Sequence, residues 1–157
     1  FAERSVAKTY RAFAHGAFKQ VRGIINKPIG RSAGAFAGRA AGERARGEVR
    51  EATTVYKVIR AGTDAKTKKK KIPLSYLELF PKTGRTHQIR VHLASVQHPV
   101  VCDALYAPRR ESALGFKRLA LHAHSIEINM PYKGGRKAFT APLPGDFIAA
   151  EKRLASV

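Results

Sequence analysis

Gly84-Arg85-Thr86-His87-Gln88-Ile89-Arg90 holds the densest set of chemistry-bearing side chains in the sequence. A glycine turn that leaves a strand and opens a helix has free N-terminal amides, and these, with the helix dipole, favour an anion. Arg85 and His87 add positive charge at that end, so the pattern reads as a phosphate or carboxylate site. Arg90 lies one turn further on, with Leu93 and Ala94 three and four residues beyond, which sets its base beside an apolar stripe. A guanidinium half-buried there needs a carboxylate partner, because burying it unpaired costs on the order of several kcal/mol. The plain alternative is a surface helix with scattered basic residues. His122 and His124 share a strand face with no third ligand in view, so they read as structural hydrogen-bonders and no metal is expected.

The elements that must carry these residues follow from periodicity. Ser5–Ala14 reads as a strand, Gly16 turns it, and Ala17–Ile25 is its expected hairpin partner. Residues 31–47 are a basic Ala/Gly/Arg insert without a bulky apolar stripe, better suited to a flexible or extended segment than to a packed element. A strand is expected over 52–60, a lysine-rich hairpin tip over 62–71, and a further strand over 72–80. Ile89, Leu93 and Val96 then fall at helical spacing, predicting a helix over 85–96 with Thr86 as N-cap. Residues 118–130 alternate as a strand, 138–143 form a short extended piece, and 144–154 a terminal helix capped near Asp146. The resulting class is α+β: a mixed, mostly antiparallel sheet with few helices.

Length and charge bound the function. The 157 residues suit one domain, and a hydrophobic share of 44% excludes a disordered tail. Thirty Lys+Arg against 11 Asp+Glu leave a formal net charge of +19, which self-repels and calls for a polyanion. Nucleic acid comes first, since neutralising phosphates releases counterions. A membrane partner is not expected, because there is no 18-residue apolar run and no long basic amphipathic helix. The single Cys102 rules out an internal disulfide and a cysteine metal cluster and fits an intracellular setting, with cytoplasm versus mitochondrion or another organelle undecided. The sequence starts at Phe1 and its one methionine is Met130, so residues are expected upstream.

Pro81-Lys82-Thr83-Gly84-Arg85-Thr86-His87-Gln88-Ile89-Arg90-Val91-His92-Leu93-Ala94 resembles the third motif of RluA-type RNA pseudouridine synthases. His98-Pro99-Val100-Val101-Cys102-Asp103-Ala104-Leu105-Tyr106 is similar to that family's continuation, with Cys102 where glycine is commoner. Arg118-Leu119-Ala120-Leu121-His122-Ala123 and Phe139-Thr140-Ala141-Pro142-Leu143-Pro144 match two more signatures, and Lys8-Thr9-Tyr10 resembles the K-x-Y strand. The resemblance implies the C-terminal portion of such a catalytic domain over 1–157, with the N-terminal part missing. It implies uridine-to-pseudouridine isomerisation in structured RNA, rRNA foremost, with no cofactor. In this scheme an aspartate attacks the nucleotide, the C–N bond breaks, the uracil turns, and a C–C bond forms.

Roles carry over by position. Tyr10, alone an ordinary strand aromatic, would pack on the flipped uracil and serve in proton removal at C5. Arg90 would pair with the nucleophilic aspartate. Arg85, His87, Lys8, Lys82 and the run Lys68, Lys69, Lys70, Lys71 would contact RNA, while Ile89, Leu119 and Leu121 would wall the pocket. The family's H-R-L-D-type segment has no match in the sequence. Asp64 falls in the lysine-rich loop, Asp103 at a position structural in the family, and Asp146 at the terminal helix. The carboxylate facing Arg90 is therefore expected from other polypeptide, and this chain alone is expected to be inactive. The alternative is a non-catalytic rRNA-binding factor for ribosome biogenesis on the same fold, with protein partners in an assembly particle.

Overall fold

A computed structural model describes residues 6–33, 38–67, 71–130 and 134–156. Its centre is β1 (Val6–His15), which pairs antiparallel with β7 (Leu74–Pro81) on one side and β8 (Leu121–Asn129) on the other. Beyond β7 comes β6 (Thr53–Asp64), edged by β2 (Arg22–Asn26) and by the short β10 (Leu154–Ala155). Beyond β8 comes β9 (Arg136–Thr140). Every one of these pairs is antiparallel, and the class is α+β.

The strand period of two sends β1 side chains to opposite faces. Phe13 meets Tyr76 in a parallel stack at 4.5 Å and Phe147 of α2 (Gly145–Arg153) at 5.5 Å, so α2 covers that face. Tyr10, opposite Leu79, which in turn faces Tyr56, lies on the other face. Helix α1 (Gln88–Ser95) covers this second face through Gln88 and His92, both bonded to the Thr54 hydroxyl. Ile89 and Leu93 of α1 join the main core; Val91, on the far side, joins a second apolar cluster with Ile29, Ala41 and Ala52.

That second cluster belongs to a part the sequence reading treats differently. Residues of the basic insert form a three-stranded sheet, ordered β4 (Arg39–Ala41), β3 (Ile29–Ser32), β5 (Ala45–Arg50), packed on α1. Small alanines, not a bulky stripe, fill the contact with Val91, which is why the composition does not announce a packed element. The expected hairpin of 17–25 with β1 is also corrected, because β2 pairs with β6. Strand β6 runs on to Asp64, beyond the expected end at 60, so Asp64 stands at a buried strand end rather than in a loop. There it accepts from the Arg153 guanidinium and the Leu114 amide.

Helix α1 starts at Gln88, and His87 rather than Thr86 takes the N-cap position. Pro144, with no side-chain cap, takes that place for α2, while Asp146 sits in the first turn and pairs with Arg118. No helix among the described residues is long and apolar enough to cross a membrane.

Candidate active site

The first half of β1, the loop after β7 and the start of α1 enclose a cavity of about 220 Å³. Lys8 and Tyr10 reach it from β1, Gly84, Arg85 and His87 from the loop, Ile89 and Arg90 from α1, and Leu121 from β8. Tyr10 owes its placement to an irregularity: Thr9 pairs with Ser125 but Tyr10 with Ala123, leaving His124 of β8 as an extra residue. Such bulges bend a strand and re-aim a side chain, and they concentrate near active sites.

The loop is held by Gln88, whose amide oxygen accepts from the Thr83 hydroxyl at 2.7 Å and the Arg85 N–H at 3.0 Å. Its NH2 donates to the Thr53 carbonyl and the Thr54 hydroxyl, each at 3.0 Å, fixing the helix start to β6. His87 has φ 56°, the left-handed region, which non-glycine residues adopt at a cost of about 1–3 kcal/mol. This turn aims its ring at Tyr106, with Nδ1 2.9 Å from the hydroxyl.

Arg90 is the fixed point of the site. Its Nε donates to Asp103 Oδ2 at 2.8 Å and its Nη2 to Oδ1 at 2.7 Å, a two-pronged charged pair. Its guanidinium carbon stands 4.9 Å from the centre of the Tyr106 ring. Asp103, only 1% exposed, also accepts the Leu105 and Tyr106 amides, which locks the 103–106 turn to α1. Burial pushes the Asp103 carboxyl upward, but the Arg90 and amide hydrogen bonds outweigh it and hold the group below the usual carboxylate range. The hydrogen bonds to Asp103, against some desolvation, raise Arg90 above its ordinary value. Nη1 of Arg90 has no hydrogen-bond partner among the described residues. The expectation that its carboxylate comes from other polypeptide is corrected on this point: Asp103 occupies two of the three guanidinium nitrogens. Asp103 is the only acidic residue between Glu78 and Glu111, a signal the sequence carries.

The remaining residues sort by position. Desolvation, then the nearby Arg90 and Arg39 charges, lower the His87 pKa despite the opposing pull of Asp103, so its ring is neutral near pH 7. The Arg39 amide donates to the Tyr106 hydroxyl at 3.1 Å, leaving that hydroxyl able to donate to His87 Nδ1. Leu119 packs on the main core outside the cavity lining. Lys82 is exposed beside the cavity, and Lys71 lies before the opposite end of β7; Lys68, Lys69 and Lys70 fall outside the described residues. His122 and His124 both approach the Ala141 carbonyl, at 3.4 and 3.0 Å. Tyr106 and Gln88 are site-building residues that the sequence reading assigns no role.

No described Asp or Glu lines the cavity, which brings together an aromatic ring, an anchored guanidinium with one open nitrogen, and flanking cations. That set can stack a base, pair with a further carboxylate and neutralise phosphates. The model for "RNA pseudouridylate synthase" matches residues 1–95. Among curated proteins, an uncharacterised RNA pseudouridine synthase of Bacillus subtilis is 36% identical over 92% of this chain and 43% of its own length. Ribosomal large subunit pseudouridine synthase D of Neisseria meningitidis is 32% identical over 92% of this chain and 37% of its own length. The solved human RNA pseudouridylate synthase domain containing 1 superposes with a TM-score of 0.74 at 31% identity, over 90% of this chain and 56% of that one. This chain thus spans less than half the length of these curated relatives.

Proposed function

The chain belongs to the RNA pseudouridylate synthase family, of the RluA type, and from that premise we propose that the whole protein isomerises uridine to pseudouridine in ribosomal RNA. The observation that carries this reading is the shared cavity of Tyr10 and Arg90, with Asp103 anchoring the guanidinium and Nη1 left open. The target uridine leaves its stack, at a cost of a few kcal/mol, and stacks on the Tyr10 ring. Lys8, Arg85 and His87 take the flanking phosphates, and Ile89 and Leu121 keep the base dry. A carboxylate from polypeptide beyond these residues seats against Arg90 Nη1, which keeps it ionised and ready as nucleophile.

The carboxylate attacks the nucleotide, the glycosidic bond from N1 breaks, and the uracil turns to present C5. The C5–C1′ bond forms as the carboxylate is displaced, the proton at C5 leaves with help from Tyr10, and N1 takes up a proton. Atoms and electrons balance without oxidant, metal or cofactor. Asp103, Asp64 and Asp146 are each paired with an arginine, which supports the reading that the nucleophilic carboxylate comes from polypeptide beyond these residues. Ribosomal RNA is favoured as substrate by relatives named ribosomal large subunit synthases C and D.

Tritium release from RNA carrying 5-tritiated uridine tests this reading. The full-length protein should release tritium from large-subunit rRNA and the 157-residue chain should not. No release by the full-length protein from any rRNA would overturn it.

A further inference from the structure

A larger hollow, about 890 Å³, lies on the other side of α1 from the main sheet, between the small sheet and the loop 99–110. Arg39, Arg44, Arg46, Arg109 and Arg110 line it, and no acidic side chain does. None of Arg39, Arg44, Arg109 and Arg110 has a carboxylate partner among the described residues, whereas Arg11, Arg90, Arg118, Arg136 and Arg153 are each paired with one. Keeping five like charges around one concavity is unfavourable for folding, so the arrangement points to a polyanion that relieves it.

A third hollow, about 420 Å³, borders both this cleft and the Tyr10–Arg90 cavity, and its one acidic lining residue, Glu48, is paired with Arg50. It shares Arg39 with the cleft and Gly84 and Arg85 with the cavity. Tyr106 stands at the junction, as a wall of the cleft that also holds the Arg39 amide and His87. The three concavities therefore form one basic path over the end of α1.

We propose that this path is a track for the RNA strand on one side of the target nucleotide, running from Arg85 past Arg39 into the five-arginine cleft, where phosphates rather than bases are held. This rests on the reading of the protein as an RNA-modifying enzyme, and it adds a binding site remote from the reacting base. Spaced arginines without an aromatic ladder fit backbone contact, which confers affinity and register without sequence choice.

The test uses full-length protein and a twelve-residue oligoadenylate, which contains no uridine to enter the Tyr10 cavity. Binding is measured against salt for the wild type, for Arg109→Gln with Arg110→Gln, and for a control pair, Lys137→Gln with Lys152→Gln, on β9 and α2. Losing two phosphate contacts should reduce the slope of log affinity against log salt by about 1.4 for a single strand. The control pair should leave the slope unchanged. A full-length wild-type protein that binds oligoadenylate but never releases tritium from rRNA sinks only the catalytic reading. An unchanged slope in the Arg109/Arg110 variant, an equal loss in the control, or equally tight binding of a glutamate dodecamer would each overturn the track.

Discussion

At the scale of single residues, the site is built on the bond between Arg90 and Asp103. Replacing Asp103 with Asn leaves the guanidinium short of a charge partner in a poorly solvated place. Breaking such a pair from one side costs about 3–5 kcal/mol when burial is complete. Arg90 keeps some exposure, its side chain being 17% accessible against 0% for Asp103, so we expect about 2–4 kcal/mol in a urea titration. A loss below about 0.5 kcal/mol would mean that the pair is ornamental. His87 makes a second case. Its left-handed backbone favours glycine, so His87→Gly should match or exceed wild-type stability, while His87→Val should lose about 1–3 kcal/mol by the same titration. Both changes remove the ring from Tyr106 and should weaken tritium release, which separates strain kept for function from ordinary packing. Arg90 was readable as a buried charge needing a carboxylate. Its partner was harder to see, because Asp103 sits thirteen residues away in a turn with no periodicity of its own.

Among the elements, α1 is read as a helix because Ile89 and Leu93 keep helical spacing, yet its other face is packed too. His92 is wholly buried between the two layers, with Nδ1 2.9 Å from the Thr54 hydroxyl and Nε2 2.9 Å from the Lys27 carbonyl. His15 is buried at the end of β1 with neither ring nitrogen hydrogen-bonded. Desolvation lowers both pKa values, helped at His15 by the Arg110 charge and opposed at His92 by the Lys27 carbonyl. In the unfolded chain both rings take up protons near the ordinary value of about 6.5. The unfolded state then binds more protons than the folded one as pH falls through that value, so stability drops. Above about pH 7 both rings are neutral in both states and the dependence vanishes. Denaturation midpoints should therefore be nearly equal at about pH 8.5 and 7.5, lower at about pH 6.5 and clearly lower again at about pH 5.5. His15→Phe with His92→Gln should flatten that fall; a fall of equal size in the double variant would assign it elsewhere. The small sheet was not legible, since alanine and glycine carry little hydrophobic pattern and its strands meet through long-range pairing and the packing of β4 on α1.

For the whole molecule, charge and ordered motifs were legible early, and they led to RNA and to the α+β class. Which strands pair was not, because β2 meets β6 across some thirty residues and hydrophobic alternation names faces rather than neighbours. The basic path over α1 likewise arises only when the 39–46 segment and the 109–110 loop meet in space. The central proposal is that the Arg90 guanidinium, held from behind by Asp103, turns its remaining nitrogen to a carboxylate brought by other polypeptide. A structure of the full-length protein tests this most directly. We expect a carboxylate oxygen within about 3 Å of Arg90 Nη1, beside the Tyr10 ring, with the Asp103 bonds intact. An Nη1 that faces only solvent, or a chain outside these residues that fills the Tyr10 cavity without a carboxylate, would contradict it.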